Sequence, residues 1–203
     1  MIKTIMTVQD IRKHFPALSG TVYGKPLVYF DNAATSQRLD TVLKMQDEWA
    51  RTANANIHRA VHHLADQATE HYETAREAVR EFIGAESTSE IIFTSGTTAS
   101  INLVAYSFCE AFVGEGDNVI VSAAEHHSNL VPWQQHCLRK SAQLRFIPVL
   151  DDGRLDIQAL ERLIDERTKI LAVTQVSNVL GIVNPVDEIV RICHSKGVPV
   201  LVD

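Results

Sequence analysis

The run Asn118-Val119-Ile120-Val121 decides the fold, because a short apolar segment bounded by polar residues is typical of a buried strand. Similar runs recur at residues 90–93, 144–149, 169–174 and 198–202. Helical patterns lie between them at residues 100–112 and 156–166, and a longer one begins at Leu64 and ends at Gly84. Alternation of strands and helices is typical of a parallel sheet with helices packed on it. We therefore predict an α/β fold in three layers, with a largely parallel sheet and helices on both of its faces.

The composition and charge of the chain argue against several classes of function. The 203 residues carry a formal net charge of −6, with acidic and basic residues interleaved, so the chain has no basic stripe of the kind that nucleic-acid binding requires. Charged residues interrupt the first 15 positions, which therefore lack the apolar core of a signal peptide, and no later run is long enough to span a bilayer. We expect a cytoplasmic protein that binds neither nucleic acid nor a membrane.

The three cysteines, Cys109, Cys137 and Cys193, are far apart, and no two of them form a CxxC pair. This pattern argues against a disulfide framework and against a zinc knuckle. Each cysteine lies in a helical pattern, where a free thiol is most often a small buried side chain. His58 and His62 are four residues apart, but no cysteine or carboxylate completes a ligand set beside them, so we expect no metal site.

Polar residues follow four of the predicted strands, and ligands of an open parallel sheet bind at the carboxyl ends of its strands. After residues 90–93 comes Thr94-Ser95-Gly96-Thr97-Thr98, which leads into a predicted helix. Free amide groups at a helix start, a glycine and the hydroxyls of Thr97 and Thr98 suit a phosphate group. Threonines are also ordinary helix caps, and that alternative stays open. Because GxxxxGK[ST] and GxGxxG are both missing, a phosphomonoester fits better than a nucleoside triphosphate or a dinucleotide.

His126, Asn178 and Asp203 each follow another predicted strand. The His126 imidazole could lie against the aromatic ring of a ligand, and the Asn178 amide could hold a ring oxygen. Asp203 follows a run of apolar residues, so its carboxylate needs a partner, such as a protonated pyridine nitrogen. Taken singly, His126 could instead be a solvated histidine that caps the next helix, and Asn178 an ordinary turn residue.

A phosphate site, an imidazole, an amide and a carboxylate at separate strand ends together predict a pocket for pyridoxal 5'-phosphate. The carboxylate would keep the pyridine nitrogen protonated, and a protonated ring can accept electrons from the α carbon of a substrate. This combination is far more specific than any of its parts.

Several stretches of the sequence form a recognisable set: Tyr29-Phe30-Asp31-Asn32-Ala33-Ala34-Thr35, Asn56-Ile57-His58-Arg59, Ser95-Gly96-Thr97-Thr98, Glu125-His126-His127-Ser128-Asn129-Leu130-Val131-Pro132-Trp133, Ser177-Asn178-Val179-Leu180-Gly181 and Leu201-Val202-Asp203. With them, the chain resembles the class V aminotransferase group of pyridoxal-phosphate enzymes, and within it the SufS/CsdA-type (group II) cysteine desulfurases. The resemblance runs over essentially the whole chain, and the stretches EHHSNLVPW and VSNVLG are its most specific parts.

The resemblance implies roles for the residues at the strand ends. Thr97 and Thr98 would bind the cofactor phosphate. His126 would stack on the cofactor ring and act in catalysis as a proton relay, and Asp203 would pair with the pyridinium. Asn178 would face the ring oxygen and bind the substrate carboxylate. The sequence departs from the family pattern at Ser95, where many relatives have arginine, a change that could loosen the loop.

The resemblance also implies a domain organisation. Residues 1–30 would be an N-terminal segment that joins a small C-terminal domain in the full enzyme, and residues 31–203 an incomplete large domain that binds the cofactor. The family places its Schiff-base lysine after the strand that ends at Asp203, and its loop cysteine and carboxylate-binding arginine later still. We therefore expect this chain to be an N-terminal fragment that is inactive alone.

The implied activity is that of a cysteine desulfurase, which converts L-cysteine to L-alanine, leaves an enzyme persulfide and supplies sulfur for iron–sulfur cluster assembly. L-Selenocysteine is an alternative substrate, a sulfur-acceptor protein the expected partner and a homodimer the expected full-length assembly. Other interpretations stay open: another class V enzyme, such as a selenocysteine lyase, a kynureninase-like hydrolase or an epimerase, would share the cofactor site. A short chain that binds a partner without catalysis is the other alternative.

Overall fold

The computed structural model describes residues 6–59 and 61–203. The chain divides into two compact units, of which the first ends at Ile92 and the second is Phe93–Asp203. The elements of the first unit are helices α1 (Val8–Arg12), α2 (Asp40–Thr52) and α3 (His63–Ile83), strands β1 (Thr21–Val22) and β2 (Lys25–Pro26), which pair antiparallel, and the 3-10 helices Pro16–Ser19 and Thr88–Glu90. The boundary expected between residues 30 and 31 stays a prediction.

Two helices of the first unit begin or end where the sequence predicts. Thr7 caps α1, because its hydroxyl accepts a hydrogen bond from the Asp10 N–H while the Asp10 carboxylate accepts one from the Thr7 N–H. At the other end of the unit, Gly84 terminates α3 with a left-handed φ of 72°. The stretch Thr7-Val8-Gln9-Asp10 predicts a capping box that opens a short helix, and both this capping box and the predicted glycine C-cap are confirmed.

The second unit consists of a parallel sheet and the helices that connect its strands. In chain order its elements are α4 (Thr97–Phe112), β3 (Asn118–Ser122), the 3-10 helix His127–Asn129, α5 (Val131–Lys140), β4 (Gln143–Ile147), α6 (Ile157–Leu163), β5 (Thr168–Val173), α7 (Val186–Ser195) and β6 (Val200–Val202). The strand order is β4-β3-β5-β6, and each neighbouring pair is parallel. The predicted fold class is confirmed.

Apolar side chains form a core on each face of this sheet. Successive residues of a strand point to opposite faces, so Val119 and Val121 enter one core and Ile120 the other. Helices α4 and α5 cover the first face, and α6 and α7 cover the second. Every residue of β3 is buried as a result. This arrangement explains why β3 is a nearly continuous apolar run in the sequence.

The three cysteines are free and buried in these cores, as predicted. Cys109 of α4 and Cys137 of α5 lie on one face of the sheet and Cys193 of α7 on the other. Burial raises the pKa of each thiol to about 11. A thiol with such a pKa stays protonated at neutral pH and is a poor nucleophile.

The strand predicted at residues 90–93 is wrong. Thr88–Glu90 is a 3-10 helix, and Ile91 has extended dihedral angles, with φ −97° and ψ 115°. The parallel sheet nevertheless contains only β3 to β6 in the part of the chain that the structure describes. An apolar run predicts extended backbone, whereas a strand also needs a neighbour that completes its hydrogen-bond ladder. Residues 91–94 therefore lie between the 3-10 helix and α4 without belonging to a strand of the sheet.

Asp165 ties together the amino ends of three strands. Its carboxylate accepts hydrogen bonds from Arg145 Nη1 of β4 at 2.7 Å and from Asn118 Nδ2 of β3 at 2.9 Å. It also accepts from the Arg167 N–H at 2.9 Å, and the Thr168 hydroxyl of β5, which donates to Asn118 Oδ1 at 2.8 Å, lies 3.3 Å from it. The bonds from Arg145, Asn118 and the Arg167 N–H, chiefly that from Arg145, lower the pKa of Asp165 to about 2.

We expect Asp165→Asn to lower the free energy of unfolding at pH 7 by about 1–2 kcal/mol, because a partly exposed ion pair and several hydrogen bonds weaken together. The folded-state pKa of Asp165 is depressed from 3.8 to about 2, so its contribution is complete above the unfolded-state value and is lost as the pH falls through about 2. In urea unfolding, the difference in the free energy of unfolding between wild type and variant should be smaller near pH 2 than at pH 7.

Asp152→Asn is the matched control, because the partner of Asp152 among the described residues is the neighbouring Arg154 on an exposed loop. It should change the stability little at either pH. An equal loss of stability in the two variants at pH 7 would contradict a special role for Asp165.

Candidate functional site

The parallel register brings the segments that follow β3, β5 and β6 to one edge of the sheet. Val121 of β3 pairs with Ala172 of β5, and Val173 pairs with Val202 of β6. The ladder continues past β6, because the Asp203 N–H donates to the Val173 carbonyl at 2.9 Å and the Asp203 carbonyl accepts from the Gln175 N–H at 2.8 Å. Asp203, a half-buried residue, is thus held beside the end of β5.

The loop before α4 is shaped by Gly96 and Thr94. Gly96 has φ 152° and ψ 173°, a conformation that is essentially restricted to glycine. The Thr94 hydroxyl holds this loop, since it lies 3.0 Å from the Gly96 carbonyl and 2.7 Å from the Ser100 hydroxyl. The first amide that bonds within the helix is that of Ser100, which donates to the Gly96 carbonyl at 3.1 Å.

The start of α4 therefore presents free donors. Gly96 is the N-cap, and no side chain of the described residues caps the helix. The alternative that the threonines serve merely as caps is wrong, because Thr97 and Thr98 lie inside the helix and are exposed. The uncapped start of this 16-residue helix, with its two exposed hydroxyls, suits an anionic group.

His126 caps the 3-10 helix that follows β3. Its Nδ1 accepts from the Ser128 N–H at 3.1 Å and lies 2.7 Å from the Ser128 hydroxyl. The capping role considered for this histidine is confirmed. An Nδ1 that accepts from a backbone amide leaves the proton of the neutral ring on Nε2. The exposed imidazole therefore offers an N–H donor at the edge of the sheet.

One cavity joins two of the predicted residues. It has a volume of about 450 Å³, and Thr98 and His126 both line it, together with residues of α5 such as Gln135 and Arg139. The start of α4 and the loop after β3 are therefore neighbours. Asn178 and Asp203 do not line this cavity, so the convergence of all the predicted residues on one pocket stays a prediction.

Asn178 lies in a tight turn after β5. The buried Ser177 forms the turn, because its hydroxyl accepts from the Val179 and Leu180 amides at 3.4 and 3.1 Å and its carbonyl accepts from the Gly181 N–H. Asn178 itself is exposed. This geometry agrees with the ordinary turn role, and it also leaves the amide side chain accessible to a ligand.

Sequence reasoning assigned no role to Glu125, which the structure places at the centre of this edge. Its carboxylate accepts hydrogen bonds from the Ser122 hydroxyl, from the Thr174 N–H at 2.9 Å and from Asn129 Nδ2 at 2.6 Å. Burial is the main factor that raises the pKa of Glu125, and the negative charge of Asp203 raises it further. The sequence offers one signal of its position, namely that Glu125 follows the end of the buried strand β3 after two alanines.

The histidines considered for a metal have other partners. His62 accepts from the Ala65 N–H and caps α3, and His58 Nε2 lies 3.0 Å from the Glu73 carboxylate. Among residues 6–59 and 61–203, no cluster of three or more His, Cys, Asp or Glu side chains is arranged to hold a metal ion. Within the same residues, no helix is both long and apolar enough to cross a membrane.

Comparison with known proteins identifies the family. The model of the aminotransferase class-V family matches residues 28–203. The chain belongs to this family. The class V resemblance expected from the sequence motifs is therefore confirmed.

The relatives of this class-V chain include named cysteine desulfurases. A probable cysteine desulfurase of Halalkalibacterium halodurans is 50% identical over 198 residues, which are 98% of this chain and 49% of that protein. The cysteine desulfurase of Escherichia coli K12 is 46% identical and is covered to the same extent. The apo structure of a cysteine desulfurase from Thermococcus onnurineus NA1 matches with a TM-score of 0.89 and 38% identity, over 98% of this chain and 48% of that one. The chain spans about half the length of the curated relatives it matches.

Gly96→Ala tests whether the helix start depends on backbone shape. An added Cβ would have no neighbour within 4 Å, so the cost is conformational strain alone. We expect the free energy of unfolding to fall by about 1–3 kcal/mol. In Gly114→Ala, the control, φ lies outside the left-handed region and the new Cβ makes an ordinary 3.7 Å contact with Asp117. Urea unfolding of this control should shift by less than about 1 kcal/mol. Equal losses in the two variants would count against a strained Gly96.

Proposed function

We propose that this chain is the N-terminal part of a pyridoxal-phosphate-dependent cysteine desulfurase. The observation that carries the proposal is the carboxyl edge of the sheet, where an uncapped helix start, an exposed imidazole and a half-buried carboxylate follow separate elements of one class-V fold. The relatives that match nearly the whole chain and are named cysteine desulfurases support the substrate class.

The described residues fit the proposed cofactor. The free amides at the start of α4 and the hydroxyls of Thr97 and Thr98 suit a phosphate monoester, and the extended Gly96 lets the backbone approach it closely. Asp203 is a half-buried acid at a strand end, which suits a cationic partner such as a pyridinium nitrogen. When bound, pyridoxal phosphate supplies an electron sink for the substrate's α carbon.

Each predicted residue then has a role toward the cofactor or the substrate. Thr97 and Thr98 bind the phosphate, and Asp203 keeps the proton on the pyridine nitrogen. His126, whose Nδ1 is occupied by the Ser128 amide, presents Nε2 toward the ligand and moves a proton there. Asn178 holds the ring oxygen and the substrate carboxylate from its exposed turn.

The wider biochemistry is part of the same proposal. L-Cysteine, with L-selenocysteine as an alternative, is the substrate, and the sulfur passes to an acceptor protein for iron–sulfur cluster assembly. The complete protein is a homodimer in the cytoplasm. Three free, buried thiols agree with a reducing compartment.

Two variants of the complete reading frame that contains this chain test the proposal. Asp203→Ala should retain cofactor binding and greatly slow the release of L-alanine from L-cysteine, because the phosphate contacts survive and the proton on the ring nitrogen does not. Thr98→Val should weaken cofactor binding about tenfold or more, since a hydrogen bond to a charged group contributes about 1.5–3 kcal/mol, and saturating cofactor should restore its turnover.

Thr52→Val is the control for the second variant, because Thr52 is an exposed helical threonine whose hydroxyl donates within α2. Its cofactor affinity and turnover should equal those of the wild type. Unchanged alanine release by Asp203→Ala, measured with saturating cofactor, would overturn the role assigned to the carboxylate.

A further inference from the structure

The Glu125 carboxylate receives three hydrogen bonds from buried groups. Oε1 accepts from the Ser122 hydroxyl and from the Thr174 N–H at 2.9 Å, and Oε2 accepts from Asn129 Nδ2 at 2.6 Å. Ser122, Asn129 and Thr174 are between 0% and 7% exposed. Each of these donors would be left without a partner in the protein interior if the acceptor were removed.

Two of the three donors cannot reverse their direction. The Thr174 amide can only donate. The Ser122 hydroxyl is the exception, because it accepts from the Ala124 N–H at 3.2 Å and donates to the carboxylate but has a second lone pair with which it can also accept. The Asn129 amide is oriented by Trp133, a fully buried residue whose indole Nε1 donates to Asn129 Oδ1 at 3.1 Å. An indole N–H cannot accept, so the amide cannot flip without leaving two donors face to face.

Position 125 therefore requires a side chain that only accepts hydrogen bonds. A carboxylate meets this requirement. Glutamine has the same shape, but its amide nitrogen would face either Asn129 Nδ2 or the Thr174 N–H, both of which are donors. The chain from Trp133 through Asn129 to Glu125 thus selects glutamate over its neutral isostere.

The hydrogen bond from the Thr174 N–H to Glu125 also continues the contact between β3 and β5 beyond their last backbone pair. The last β3–β5 pair is Val121 with Ala172, and after Ser122 the chain turns toward β4, where the Ala123 N–H donates to the Ile147 carbonyl. The Glu125 side chain then supplies the acceptor that the β3 backbone no longer offers to β5. Through this bond, the segment that leads to His126 stays attached to the strand that pairs with Asp203.

We propose that Glu125 is a positioning residue of the site. Its carboxylate fixes the end of β3, which leads to His126, against the end of β5, which holds Asp203 in the ladder. The inference rests on the proposed function for its purpose, whereas the network itself is independent of any ligand. Glu125 acts through its neighbours and is not assigned contact with the substrate or the cofactor.

Exchanging the carboxylate and the amide between positions 125 and 129, which are hydrogen-bonded to each other, tests this role. In Glu125→Gln two donors face each other, and in Asn129→Asp two carboxylates do. In the double variant, the carboxylate introduced at position 129 accepts from both Trp133 and the new glutamine, whose remaining oxygen serves Ser122 and Thr174. Urea unfolding of the full chain should show about a tenfold or larger loss in the folding equilibrium constant for each single variant and a return to within about threefold of wild type for the double.

Two further measurements follow the strand ends directly. Amide hydrogen exchange at Thr174 and Gln175 should speed up in Glu125→Gln and slow down again in the double variant. Binding of pyridoxal phosphate should weaken and recover in the same order. Losses of stability that simply add in the double variant, or recovered stability without recovered exchange protection at Thr174, would overturn the proposal. A complete protein that does not bind the cofactor would refute the proposed function, and the unfolding and exchange results on this chain would still decide the role of Glu125.

Discussion

The parallel pairing of β3 with a strand on each side is the constraint on which the rest of the second unit depends. β3 is hydrogen-bonded to β4 along its whole length and to β5 along most of it, and all five of its residues are buried. Because β3, β5 and the adjoining β6 run in the same direction, their polar continuations emerge at one edge. His126 and Asp203 thus come to the same side of the molecule, although 76 intervening residues separate them in the sequence.

A carboxylate links strands at each end of the sheet, and the surroundings of the two carboxylates shift their pKa values in opposite directions. Asp165 joins the first residues of β3 and β5 to Arg145 of β4, and the bond from this arginine is the main factor that lowers its pKa to about 2. Glu125 joins the carboxyl ends, where burial outweighs three donors and raises its pKa. The folded state therefore favours the ionised form of the first carboxylate and disfavours that of the second. A disfavoured charge at the edge where ligands of parallel sheets bind is typical of a functional site.

Much of this arrangement could be predicted from local patterns. Four of the five predicted strands, the Thr7 capping box and the Gly84 C-cap depend on residues close together in the sequence, and the structure contains all of them. The strand at residues 90–93 failed because pairing requires a distant neighbour that no local pattern reveals. Glu125 was overlooked for the same reason: its donor from Thr174 is 49 residues away, and a glutamate in a polar stretch gives no sign of its burial. The sequence singled out Thr98, at the start of a predicted helix, and His126, after a predicted strand, while their shared cavity required the packing of α5.

The central claim is that the start of α4 and the segments after β3, β5 and β6 form one pocket for a phosphorylated pyridine. Amide chemical shifts of the isotope-labelled chain test it most directly, with inorganic phosphate added first and pyridoxal phosphate second. The account predicts that phosphate shifts the amides of Thr97 and Thr98 at the start of α4, and that pyridoxal phosphate shifts these together with His126, Asn178 and Asp203. Shifts confined to the amino edge around Asp165, or a response to pyridoxal phosphate that leaves Asp203 unchanged, would contradict it.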